Sequence, residues 1–313
     1  MDPARDDPVI AWLLSGDPAI RWQVLRDLVD GSAEAIETER AQVATQAWGR
    51  RLLELRGRDG RWAGGLYSPK WTSTTYTLLL LRAMGLSPQT DAARHSAQVL
   101  LDRGDGVDGG VVFWRSGQVD LCVVGLVLSV AAYFELPDAR VGDLVDVLAR
   151  HQADDGSWHD GVQDVSHRPF HVAIAALEGL AEYQRHRPVA DPKVAAMMDA
   201  GHEFLLDHRL FRSVPDGGVI DPAWTRFSFP PHWHYDVLRA LDHLRSVGMH
   251  HEDRLDDALD LLVSRRRPDG TWPLENRHPG RTWFDLETVG RPSRWNTLRA
   301  LRVLRSHDRE RSS

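Results

Sequence analysis

The chain is short of the features that would place it quickly. It has one cysteine, Cys122, so no internal disulfide can form. No apolar run reaches membrane-spanning length; the longest, Leu121 to Phe134, is interrupted by Gly125 and Ser129. Positive charge is in the minority, with Lys+Arg 38 against Asp+Glu 45 and a net charge of −7. No basic block is long enough to track a nucleic-acid backbone, and Arg265, Arg266 and Arg267 read as a solvated helix end near the negative dipole pole. The opening Met1-Asp2-Pro3-Ala4-Arg5-Asp6-Asp7 is acidic and carries no apolar signal core. These absences predict a cytoplasmic chain with no nucleic-acid partner and no stable membrane insertion. What is present is a globular composition, 42% hydrophobic and 27% charged over 313 residues, enough to fill one large core.

Repetition is the strongest positive signal. Asp-Gly pairs fall at Asp59-Gly60, Asp108-Gly109, Asp155-Gly156, Asp216-Gly217 and Asp269-Gly270, with gaps of 49, 47, 61 and 53 residues. Three continue as Gly-x-Trp, ending at Trp62, Trp158 and Trp272; two continue as Gly-Gly-Val, at Gly110-Val111 and Gly218-Val219. A helical pattern precedes each pair and a polar loop follows, after which an apolar helix begins. The apolar set is Trp71–Met84, Val119–Phe134, Pro169–Tyr183, His232–Val247 and Ser293–Leu304, with Ala19–Val29 as an opening member. The amphipathic set is Glu34–Leu55, Asp91–Leu101, Ala139–His151, Lys193–His208 and Asp253–Arg266. A two-helix unit cannot bury its apolar face alone and must stack on its neighbours. One set apolar all round and one set striped predict an all-α double ring, an (α/α) toroid of five to six helical hairpins. A single domain spans 1–313, with short disordered tails at about 1–8 and 306–313.

Prolines announce several inner helices: Pro69, Pro169, Pro230-Pro231 and Pro292. Inner helices running in one direction place these starts on a shared rim, where the functional cavity is expected. The residues just after them are polar or aromatic: Trp71, Ser73, Tyr76, Asp120, Cys122, His171, His232, Trp233, His234, Tyr235, Asp236, Arg294, Trp295 and Asn296. They read as pocket lining or as ordinary caps and first-turn residues. Trp71, Tyr76, Trp233, Arg294, Trp295 and Asn296 are the candidates for substrate contact, and His232, His234, Tyr235 and Asp236 for acid–base work. Asp120 and Cys122 open one inner helix, and His171 opens the next, 49 residues after Cys122 and so one repeat on. Carboxylate, thiolate and imidazole at matching heights make a candidate zinc set with a fourth position open, to which His232 or His234 is a candidate ligand. Read singly, the cysteine is a small buried hydrophobe, the aspartate a cap and the histidine a core hydrogen-bonding group.

Gln152-Ala153-Asp154-Asp155-Gly156-Ser157-Trp158 resembles the repeat of squalene–hopene cyclases, and the whole pattern, from about Asp17 to Leu304, resembles the toroid that those cyclases share with the β subunits of protein prenyltransferases. The Asp-x-Cys followed by His one repeat later is similar to the zinc site of those β subunits. The resemblance implies Asp120, Cys122 and His171 as ligands and a zinc-dependent, prenyltransferase-like enzyme that activates a thiol or water toward an apolar, isoprenoid-type substrate. The chain departs from that pattern just before Asp-x-Cys. Where the β subunits carry Arg and Lys it has Trp114 and Gly117, with Arg115 and Gln118 one residue off. The alternatives are a terpenoid cyclase-like isomerase or lyase and a non-catalytic binding toroid. The first lacks the Asp-x-Asp-Asp acid of protonating cyclases, leaving Asp236 or Asp285 as candidate donors. Asp256-Asp257-Ala258-Leu259-Asp260 spells a magnesium-holding string, but its helical stripe turns the acids outward.

Overall fold

The three Asp-Gly-x-Trp turns are built in the same way. The side chains of Asp59, Asp155 and Asp269 accept the N–H two residues on at 3.1, 3.0 and 3.0 Å. Gly60, Gly156 and Gly270 follow at φ of +81°, +82° and +84°, where a side chain is strained. At Gly156 a Cβ would also lie 2.0 Å from the Ala200 carbonyl oxygen, so the turn presses on the next unit. The tryptophan of each Gly-x-Trp then folds back. The indoles of Trp62, Trp158 and Trp272 donate to the carbonyls of Leu52, Leu148 and Leu262 at 2.7, 2.9 and 2.7 Å, always ten residues upstream. All three rings are fully buried. Each one adds a second donor to a last-turn carbonyl that already accepts the cap N–H of Leu55, His151 or Arg265 at 3.2, 3.2 and 3.3 Å. Trp158→Phe is therefore expected to cost about 2 kcal/mol in urea unfolding, from the lost indole hydrogen bond and the lost ring volume; a change under about 0.5 kcal/mol would show that the hydrogen bond is dispensable.

The computed structural model describes residues 7–104, 109–113, 119–159, 168–249 and 252–311. Helices dominate: α1 (Pro8–Leu14), α2 (Pro18–Asp27), α3 (Ala33–Ala41), α4 (Ala47–Glu54), α5 (Thr74–Met84), α6 (Asp91–Arg103), α7 (Leu121–Tyr133), α8 (Arg140–Arg150), α9 (Arg168–Arg185), α10 (Pro192–Asp207), α11 (Val237–Ser246), α12 (Asp256–Ser264) and α13 (Arg294–Arg311). The strands among the described residues are two residues each, β1 (Trp272–Pro273) and β2 (Pro292–Ser293), paired antiparallel. The chain is all-α in class. Among the described residues no helix is long and apolar enough to cross a membrane.

The apolar helices form a continuous series of neighbours. α5 packs on α7, α7 on α9, α11 on α13 and α13 on α2. α2 reaches α5 through the Trp22 indole, which donates to the Met84 carbonyl at 2.8 Å, and α9 reaches α11 through Glu178 and Arg239. The amphipathic helices flank them, α6 on α5, α8 on α7, α10 on α9 and α12 on α11. The closest crossing is α7 on α9. A Cβ at Gly125 would sit 2.5 Å from the Ala175 carbonyl carbon, so the glycine that interrupts the apolar run is what lets the backbones meet.

Some boundaries differ from the sequence pattern. Glu34–Leu55 is two helices rather than one, with a 3₁₀ turn at Gln42–Ala44 and Ala47 at φ +45°; the Asp17 carboxylate holds the second start by accepting the Trp48 N–H at 3.0 Å. α11 starts at Val237, not His232, because Asp236 caps it through the Arg239 N–H at 2.8 Å. His232 to Tyr235 therefore form a loop, with His232 at φ +55°. α12 buries Ala258, Leu259 and Leu262 and leaves Asp256 and Asp260 exposed, as the stripe requires.

Candidate functional site

The starts of the apolar helices are plugged by stacked rings. Trp71 and His232 lie face to face, with centroids 4.0 Å apart and planes 7° apart. His234 stacks on His278 at 3.6 Å and on Trp233 at 3.8 Å. A strap after β1 crosses the rim. Its His278 and Pro279 carbonyls accept the Trp71 indole at 3.2 and 3.0 Å, and backbone bonds join Lys70 and Trp71 to Arg281. Beneath the strap only a cleft of about 50 Å³ is open, against His278, Trp283 and Glu287.

The imidazoles in this plug are kept neutral. Burial is the main cause, reinforced by the neighbouring rings for His232 and His234; His232 falls well below the usual imidazole range and His234 to about 2. Burial takes His278 to about 4. His278 Nε2 lies 3.2 Å from the Ser228 hydroxyl, which donates to Asp236 at 2.8 Å. Asp236 also accepts the Ser228 and Arg239 N–H groups, so its carboxylate ties the loop to α11.

A large cavity begins against this plug, at His232. It measures about 800 Å³ and lies among α2, α5, α9, α11 and α13, reaching past their midpoints toward Tyr133, Arg185 and Arg245. The cavity therefore includes the helix starts, at Tyr76, His232, Arg239 and Trp295, but runs well beyond them; the stacked rings and strap roof that end. One part of the wall is apolar, with Tyr76, Leu79, Leu80, Phe229 and Trp295. The rest is charged. Arg239 grips Glu178 with two bonds of 2.8 Å, and Arg82 grips Glu182 at 3.0 and 2.7 Å. Arg302 holds Asp242, which Arg299 and Arg245 also approach at 3.6 and 3.3 Å. Burial works against these carboxylates, but the facing guanidiniums outweigh it: Arg239 holds Glu178, Arg82 holds Glu182 and Arg302 holds Asp242 below the usual carboxylate range.

Of the residues singled out from sequence, Tyr76, His232 and Trp295 line this cavity. Trp71, Trp233 and His234 belong to the plug. Three others are engaged in the framework. The Tyr235 hydroxyl donates to the Leu210 carbonyl at 2.6 Å and burial pushes its phenol well up. Arg294 bonds to Trp12 and Ser15 of the α1 region. The Asn296 amide donates to the Phe227 and Pro273 carbonyls at 3.2 and 2.9 Å. Asp285 pairs with Arg277 at 2.6 Å in the exposed strap.

The three expected zinc ligands are neighbours with other engagements. Asp120 caps α7 through the Val123 N–H at 3.2 Å and pairs with Arg168 at 3.0 Å. Cys122 Sγ lies 3.8 Å from the His171 carbonyl oxygen, the backbone rather than the imidazole. His171 Nδ1 accepts the Tyr235 N–H at 2.8 Å. Among the described residues no three His, Cys, Asp or Glu side chains form a group that could hold a metal ion. In this geometry the donor set does not fit zinc: one carboxylate is ion-paired, and one imidazole nitrogen is occupied by a backbone donor. The segment Trp114–Gln118, where the diphosphate contacts of the resembling family fall, lies outside the described residues, as does Asp108.

The charged lining was the part that the sequence reading missed. Its signal is a charged stripe inside helices otherwise read as inner: Glu178 and Glu182 at i,i+4, and Arg299 and Arg302 at i,i+3.

No family model and no curated protein matches the chain. Among solved structures it is similar to a protein from Actinoplanes, at 19% identity and a TM-score of 0.48, over 93% of this chain and 90% of that one. It is also similar to the type II terpene cyclase MstE from Scytonema, at 14% identity and a TM-score of 0.34, over 88% and 98%. The same cyclase, as a variant in complex with geranylgeranyl dihydroxybenzoate, aligns at 15% identity and a TM-score of 0.35, over 86% and 95%. Likenesses at these scores say nothing of what this chain binds.

Proposed function

We propose that the chain is a small, terpenoid cyclase-like (α/α) toroid that binds an amphiphilic small molecule inside its ring, an isoprenoid-type body against the apolar wall and a polar end among the arginines. The observation that carries this is the cavity of about 800 Å³ between the inner helices, apolar on one side and arginine-rich on the other. In this reading α2, α5, α7, α9, α11 and α13 are the inner ring, and the contact of α13 with α2 closes it. The binding reading is favoured over protonating cyclisation because Glu178, Glu182 and Asp242 are ion-paired and held deprotonated. A buried carboxylate in that state cannot hand a proton to an alkene. Glu287, which burial pushes up, caps α13 through the Arg294 N–H and faces the 50 Å³ cleft, which has no room for an isoprenoid. A zinc-dependent, prenyltransferase-like activity calls for a different arrangement of Asp120, Cys122 and His171, and no step is derived through the metal.

The test is direct. Geranylgeraniol titrated into the purified chain should raise the melting temperature by several degrees. Ala83→Phe, which fills the cavity wall, should abolish that shift while leaving the circular dichroism spectrum unchanged. No shift with the unmodified chain, and no ligand released on denaturation, would overturn the binding reading. A new product in the mixture by mass spectrometry would move it to cyclase-type catalysis.

A further inference from the structure

The charged part of the cavity is not balanced. At the end formed by the last turns of α2 and α11 and the middle of α13, four guanidiniums meet two carboxylates. Arg26 binds Asp27 at 2.6 and 2.9 Å. Arg302 is shared between Asp27 and Asp242. Arg299 and Arg245 pair with no carboxylate but the already engaged Asp242, at 3.6 and 3.3 Å, and Arg299 also donates to the neutral Ser228 carbonyl at 3.1 Å. Two positive charges are thus unmatched by carboxylates, on residues that are mostly out of water: Arg299 is 6% exposed and Arg245 21%. The C-terminal poles of α2 and α11 offset part of this, by roughly half a charge each at most. Burying unmatched charge costs several kcal/mol, and a fold keeps it only where something repays the cost. Arg245 shows the imbalance: burial, despite Asp242, brings its guanidinium below the usual range, and the neighbouring Arg302 adds to the effect.

We infer that Arg245, Arg299, Arg302 and Arg26 form a binding site for a phosphate-type oxyanion. This rests on the cavity being a ligand site and names the chemistry of the ligand's polar end. Guanidinium forks match the paired oxygens of such a group, and several converging from α2, α11 and α13 recognise it without a metal. Asp242 and Asp27 hold the forks apart when the ligand is absent, so binding replaces shared bonds with undivided ones. The anion enters between the ends of the inner helices, at the pole opposite the plugged rim.

Calorimetric titration with inorganic phosphate, at pH 8 and constant ionic strength, tests the site. The expected result is saturable binding that weakens at least ten-fold in Arg245→Gln, with the exposed-surface control Arg50→Gln unchanged. Arg26→Gln, on the half-exposed member, reads the same site if Arg245→Gln fails to fold. Decyl phosphate and decanol identify the source of the group. Decyl phosphate binding at least ten-fold tighter than phosphate makes it a headgroup; equal affinity makes free phosphate the ligand; both support the site. Decanol binding as well as decyl phosphate, with the arginine variants unaffected, overturns the inference and leaves the cavity reading standing. If decanol, decyl phosphate and phosphate all fail to bind, both fall.

Discussion

Arg239→Met is expected to destabilise the protein by about 3–5 kcal/mol, lowering its melting temperature by about 10 °C. Arg239 is 4% exposed and faces Glu178, 19% exposed, through two bonds of 2.8 Å. It also donates to the carbonyls of His232 and His234 at 3.2 and 2.7 Å, so one guanidinium joins α9, α11 and the histidine loop. Removing it strands a carboxylate where water is scarce, and two loop carbonyls lose their donor. Most of the cost is expected from the stranded charge, which a second substitution removes. Arg239→Met with Glu178→Gln should recover at least half of the loss, and a double-mutant cycle in urea isolates the pair. A single-variant cost under about 1 kcal/mol, or a double variant no better than the single, would show that Glu178 is served by other charges.

Acid should unfold the protein earlier than its carboxylates alone would dictate. His202 and His243 form a buried pair with Nε2 atoms 3.0 Å apart, 4% and 5% exposed. Burial is the leading cause in each, and it takes His202 to about 4 and His243, also opposed by the charge of His202, to about 3. With His278 at about 4 and His234 at about 2, the folded state refuses protons that the unfolded chain accepts near pH 6.5. The unfolded state therefore binds more protons, and stability rises with pH across this window. The contribution is fully present above pH 6.5 and is lost as pH falls toward 4, by about 3 kcal/mol for each buried ring that resists protonation. The paired carboxylates act in the same direction but at lower pH, since Glu182 and Asp242 sit below the usual carboxylate range. Urea unfolding at pH 8, 6.5, 5.5 and 4.5 should show a slope between 6.5 and 4.5 that is shallower in His202→Gln/His243→Gln. A curve that is flat over that interval would mean that the rings protonate in the folded state.

Much of the helical order was legible because it rests on short-range chemistry. The Asp-Gly-x-Trp turns announce themselves, since the aspartate, the left-handed glycine and the indole each act within about ten residues. The apolar helices were found with errors of a few residues at their starts; the largest of these, at His232, came from reading proline as a helix start when Asp236 supplies the cap, and the last helix runs on past Leu304 to Arg311. The site was less legible. Repeat spacing brought Cys122 and His171 to one level, and they do meet, but through a thiol and a backbone carbonyl. Spacing sets height along the helices, not the direction in which a side chain leaves its backbone. The arginine-lined cavity was hidden for a related reason. The partners Arg82 and Glu182, Arg239 and Glu178, and Arg302 and Asp242 are 100, 61 and 60 residues apart, and only the packing of separate helices reveals that these charges answer one another.

The seam between α13 and α2 sets an order of events during synthesis. Gln23 and Asp27 are made well before the guanidinium that bonds to both, which belongs to Arg302, some 275 residues later. Until that helix arrives, one flank of α2 has no mate and the interior lies open to solvent. A fragment that carries α2 without α13 therefore exposes an adhesive edge that must be shielded in the meantime.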